Sequence, residues 1–181
     1  GNGVSLHEAA GRIARCTFGN IAGGAVYVGL RYEGAIVENN IVDTAATGIL
    51  VSNFNDGGRP AVVQGNIIRN LFFRKTGEAP GSGIAVGGPG GGNYVGTGLQ
   101  GIGNLIAFNE ASGVGIGGQD NHVLGNVIRE NGSTALYLVG SNNFVGGPDE
   151  ADMNYFYGNG NGISIFPDVD SNIIVNNVLG T

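Results

Sequence analysis

Five carboxylates crowd the last third of the chain: Asp149, Glu150 and Asp152, then Asp168 and Asp170. Hard cations such as Ca2+ draw several oxygen ligands from carboxylates, so the group is a candidate calcium site. It also holds the candidates for acid–base chemistry. A retaining glycosidase needs two carboxylates about 5–5.5 Å apart, and an inverting one about 6.5–9.5 Å. Asp149 with Asp168, or Asp152 with Asp170, are the pairs to weigh. Against both stands a plain solvated acidic edge. No EF-hand loop or nonapeptide calcium repeat is present. No Asp-Asp pair, His-Gly or Asp-Pro-His-Asp accompanies the acids, and no basic residue lies beside them. The expectation is therefore no resident cofactor, with Ca2+ the one ion to consider, and no catalytic residue that can be named.

Few other residues invite chemistry. His122 follows Asp120 and Asn121, and could be a general base or a lone surface histidine. Cys16 stands where other repeats carry Asn, which predicts a buried, inert thiol. Asp43 and Arg69 occupy equivalent repeat positions and predict a surface ion pair worth at most about 1 kcal/mol. Tyr27 and Tyr137 should point outward and could stack on sugars, but too far apart to make one platform.

Composition narrows the partners. Lys and Arg number 8 against 14 Asp and Glu, a net charge of −6. Nucleic acid and anionic membranes need a basic patch, so neither is expected. No run approaches the ~18 apolar residues of a membrane span. The chain begins at Gly1 without a leader, and its only Met is Met153. That points to a processed, trimmed or engineered chain. One cysteine permits no internal disulfide and leaves the redox compartment open.

What would position these residues is a repeat. A small residue followed by apolar–any–apolar recurs, as in Ala25-Val26-Tyr27-Val28, Gly48-Ile49-Leu50-Val51, Gly83-Ile84-Ala85-Val86, Gly113-Val114-Gly115-Ile116, Ala135-Leu136-Tyr137-Leu138 and Gly162-Ile163-Ser164-Ile165. Period-2 alternation marks a strand with one face buried. Between these lie Asn40-Ile41-Val42, Asn66-Ile67-Ile68, Asn104-Leu105-Ile106, Asn126-Val127-Ile128, Asn154-Tyr155-Phe156 and Asn177-Val178-Leu179. The expected fold is all-β: one domain, 1–181, forming a single-stranded right-handed parallel β-helix of about seven coils. At about 4.8 Å per coil the rod is roughly 34 Å long. Val26, Ile49, Val51, Ile84, Val86, Val114, Ile116, Leu136, Leu138, Ile163 and Ile165 should share its core, with the Asn residues stacked as a ladder. Residues 73–80 read as an inserted loop.

These residues resemble the parallel β-helix repeat, or pectin-lyase-like, superfamily, which implies the fold but no activity. Gly34-Ala35-Ile36-Val37-Glu38-Asn39-Asn40-Ile41-Val42-Asp43 and the run Val51 to Asn70 place residues 33–86 close to a twin-arginine-exported repetitive family of bacteria. That resemblance implies export and brings no catalytic residues. Asn93-Tyr94-Val95-Gly96-Thr97 and Asn143-Phe144-Val145-Gly146-Gly147 make residues 93–181 similar to repeats of large bacterial surface proteins. The style changes at residues 87–92. The reading is a non-catalytic segment of an exported bacterial protein, structural or carbohydrate-binding, with polysaccharide as its partner. An engineered or chimeric solenoid and a polysaccharide lyase or hydrolase are the rivals. Neither end reads as a cap, so end-to-end self-association is a further expectation.

Overall fold

The computed structural model describes residues 1–54, 59–72, 81–97 and 102–180. The predicted loop at 73–80 lies outside them.

The chain winds as an all-β parallel solenoid of about six turns, so that each column of strands holds seven. Three faces repeat. The first carries the leading strands, among them Val4–His7, Ile84–Gly87, Val114–Ile116, Thr134–Leu138 and Asn161–Ile165. The third carries the Asn–apolar–apolar element, as in Ile67–Arg69, Leu105–Ala107, Val127–Arg129, Tyr155–Tyr157 and Val178–Gly180. In the early coils Thr17–Leu30 and Ile41–Asn53 run from the third face into the next first face without a break. Between first and third lies a second face: Gly11–Ala14, Ala35–Glu38, Val62–Gln64, Tyr94–Val95, His122–Val123, Phe144–Val145 and Ile173–Ile174. Every pairing is parallel, as a coil stacked on a coil requires.

Inward side chains of the three faces fill one core. Val26, Ile49, Ile84, Val114 and Leu136 stack from the first, Val37, Val63, Val95, Val123 and Val145 from the second, and Val42, Ile68, Ile106, Ile128 and Phe156 from the third. Of the eleven core positions expected on the first face, Ile163 is half-buried. Ile165 departs, being 51% exposed. Its strand pairs with Thr134–Leu138 alone, and no described coil covers its other side.

The corners explain the asparagines. Single residues at positive φ turn the chain, and a ladder residue follows directly: Asn39 before Asn40, Gly125 before Asn126, Asp120 before Asn121, Glu130 before Asn131. Three ladders result where one was expected. Asn40, Asn66, Asn104, Asn126, Asn154 and Asn177 form the first, Asn93, Asn121, Asn143 and Asn172 the second, Asn109, Asn131 and Asn159 the third. In each step an Nδ2–H donates to the next Oδ1 at 2.8–3.1 Å. That oxygen also accepts a backbone N–H, so each Oδ1 reached from the preceding coil holds two hydrogen bonds. No helix among the described residues is long and apolar enough to cross a membrane.

Candidate binding face

The acidic residues divide between two corners. Asp149, Glu150 and Asp152 form a short 3-10 turn (Glu150–Asp152) after the second-face strand Phe144–Val145. Asp168 and Asp170 precede the next second-face strand, Ile173–Ile174, and so flank the opposite side of that face. The candidate pairs Asp149 with Asp168 and Asp152 with Asp170 are thus each split between the two corners. The unrecognised second face lies between them. The Asp170 backbone amide donates to Ser141 Oγ at 3.1 Å, and that of Asp149 to Asp152 Oδ2 at 3.4 Å. Among the described residues no three His, Cys, Asp or Glu side chains converge as metal ligands would.

Three smaller expectations can be placed. Arg69 Nε donates to Asp43 Oδ2 at 2.9 Å, the anticipated ion pair, and Asn70 Nδ2 joins the same carboxylate. Cys16 is exposed rather than buried. It starts the first ladder with no described Asn above it, and its Sγ lies 3.4 Å from the Ala14 carbonyl. His122 is not a lone surface histidine, because it is clamped in a stack of rings.

That stack marks the second face. Its outward positions register one above another as Ile36, Val62, Tyr94, His122, Phe144 and Ile173. The result is an axial apolar ridge on which Ile36, Phe144 and Ile173 are exposed. Tyr94 and His122 lie parallel within 7°, centroids 4.6 Å apart, and His122 and Phe144 within 8° at 5.2 Å. Ring planes in contact sit closer than this, at about 3.5 Å. The rings are therefore shingled, each showing an edge and part of a face. Burial between its neighbours pushes the His122 imidazole below its ordinary value, and the Asp120 carboxylate pulls in the other direction.

Toward the earlier coils the ridge ends at a polar knot. Gln64 Nε2 donates to Glu38 Oε2 at 2.7 Å, and the Arg12 guanidinium pairs with Oε1. These bonds, Gln64 first and Arg12 second, hold the Glu38 carboxyl below its usual range against the opposing effect of burial. An open cleft of about 310 Å³ adjoins the ridge, floored by Ala35, Ile36, Pro60 and Val62 with Glu33 and Arg59 in its walls.

Tyr27 and Tyr137 lie on the first face, four coil steps apart by register. Tyr137 reclines along the rod over Gly115, its Oη 3.3 Å from Ser82 Oγ. The arrangement can grip something long and partly apolar. No protein-family model, curated protein or solved structure matches the chain.

Proposed function

We propose that this chain is a non-catalytic β-solenoid segment of an exported bacterial protein that binds a polysaccharide lengthwise along the second face. The observation that carries the reading is the in-register ridge Ile36–Val62–Tyr94–His122–Phe144–Ile173. It offers one apolar contact per coil step of about 4.8 Å, close to the length of a pyranose unit. The C–H faces of successive sugars can rest on it while their hydroxyls stay in water. Export rests on the likeness of residues 33–86 to an exported bacterial family.

The test is a glycan array with affinity electrophoresis, run beside reducing-end and unsaturated-uronate assays. Binding that weakens in Tyr94→Ala and Phe144→Ala, with no product formed, supports the reading. Product formation, or binding indifferent to both substitutions, overturns it. A structural use as a rigid spacer is the second reading, favoured by the three ladders. A chain that binds no glycan yet resists proteolysis at high temperature would fit it.

A further inference from the structure

In a solenoid, sequence position is axial position, so charge along the sequence becomes charge along the rod. All eight Lys and Arg lie at or before Arg129, while Glu130, Asp149, Glu150, Asp152, Asp168 and Asp170 follow it. The chain up to Arg129 is electrically balanced, and the whole net charge of −6 sits on the final coils. The ridge runs through Tyr94 and His122 into those coils at Phe144 and Ile173, and from His122 onward it lies between acidic corners. Asp120, Asp168 and Asp170 stand on one side, Asp149 and Glu150 on the other. All five are exposed, and none is ion-paired with a described residue.

From this charge complementarity we infer that the polymer bound on the second face is polycationic: an amino-sugar polysaccharide whose amines are free rather than acylated. The inference rests on the carbohydrate reading above and names its class. Carboxylates on both flanks of an apolar ridge suit a chain with an apolar ring face and ammonium groups at its margins. An anionic polymer such as a polyuronate would meet like charge on both flanks of this stretch of the ridge. A neutral one would draw only hydroxyl-to-carboxylate hydrogen bonds from the flanking acids, with no ion pairing. A basic extended peptide suits the charge but not the spacing. Its same-side residues recur every ~6.8 Å, out of step with a ridge of about 4.8 Å.

The test measures binding of the full chain by calorimetry at mildly acidic pH. The probes are a fully de-N-acetylated glucosamine hexasaccharide, its N-acetylated counterpart, an oligogalacturonate and polylysine. The free-amine hexasaccharide should bind, and more weakly as NaCl rises from about 0.05 to 0.5 M. Asp149→Asn, Asp168→Asn and Asp170→Asn should each weaken it by up to about 5-fold, the reach of an exposed ion pair. Phe144→Ala should weaken it as well. Equal binding of the N-acetylated sugar overturns this inference and leaves the carbohydrate reading standing, as does tighter binding of oligogalacturonate. Polylysine bound as tightly, with no effect of Phe144→Ala, makes the partner a basic peptide and overturns both. Binding of no saccharide also overturns both.

Discussion

Asn104 donates twice to one atom: its Nδ2 reaches Asn126 Oδ1 at 2.8 Å and its backbone N–H reaches the same oxygen at 3.0 Å. Asn126 in turn donates to the Val95 carbonyl at 2.7 Å and to Asn154 Oδ1 at 2.9 Å. Asn126→Ala would strand partners on both sides in a dry core. The expected cost is about 2–4 kcal/mol, or roughly 5–10 °C in Tm for a chain of this size. Asn161→Ala, at an exposed position, should stay within about 0.5 kcal/mol. Thermal unfolding of the two variants checks the contrast.

Two glycines of the first face should respond differently to one added methyl. At Gly48 a Cβ would lie 2.1 Å from the Gly83 carbonyl oxygen, a backbone atom that can move only with its coil. At Gly115 it would lie 2.3 Å from Tyr137 Cζ and Oη, the far end of a flexible side chain. Gly48→Ala is expected to cost about 2–3 kcal/mol by overpacking. Gly115→Ala should cost less than about 1 kcal/mol, lifting Tyr137 off the sheet and changing its near-ultraviolet dichroism. Denaturant melts give the energies, and equal costs would mean the coils flex more than their contacts imply.

Acid should weaken the fold in two stages. Folding depresses the His122 pKa, so the unfolded chain binds the proton more readily and stability declines as pH falls below about 6.5. Glu38 is depressed by Gln64 and Arg12, and Asp43 chiefly by Asn70. Their contributions are complete above the ordinary values of 4.5 and 3.8 and are lost as the pH falls from there through the depressed values of the folded chain. His122→Phe should remove the first stage alone, and Glu38→Gln should shrink the second to the part that Asp43 contributes. Stability curves against pH in the three proteins decide this.

Cys16 is exposed and free. A thiol reagent should titrate one equivalent in the native protein, without denaturant and at close to the unfolded rate. Slow labelling that requires denaturant would place the thiol inside the stack.

Two of the three faces were legible because each writes a signal of its own. Gly113-Val114-Gly115-Ile116 shows alternation, and Asn126-Val127-Ile128 shows a polar residue locked to an apolar pair. The second face was missed as a column because its later strands, such as His122–Val123 and Phe144–Val145, are two residues long, too short to show a period. A signal was there nonetheless. Asn93-Tyr94-Val95, Asn121-His122-Val123 and Asn143-Phe144-Val145 share Asn, an aromatic ring and Val. The third ladder was written as Asn104/Asn109, Asn126/Asn131 and Asn154/Asn159, each pair five residues apart. The ring stack could not be seen before register joined residues more than twenty positions apart. Cys16 misled because ladder membership implies burial only where a neighbouring coil covers it.

The asparagine ladders also give the rod an electrical direction. Every inter-asparagine bond runs the same way, Nδ2–H toward the later coil and Oδ1 toward the earlier one. Backbone dipoles in a sheet largely cancel, but these amide dipoles add head to tail along three parallel lines, much as peptide dipoles add in a helix. Their positive pole lies at the late coils, where Asp149, Glu150, Asp168 and Asp170 are gathered. A protein that places its whole net charge there sets carboxylates against the pole that favours them. Repeats permuted so that the acidic coils came first would set the two in opposition.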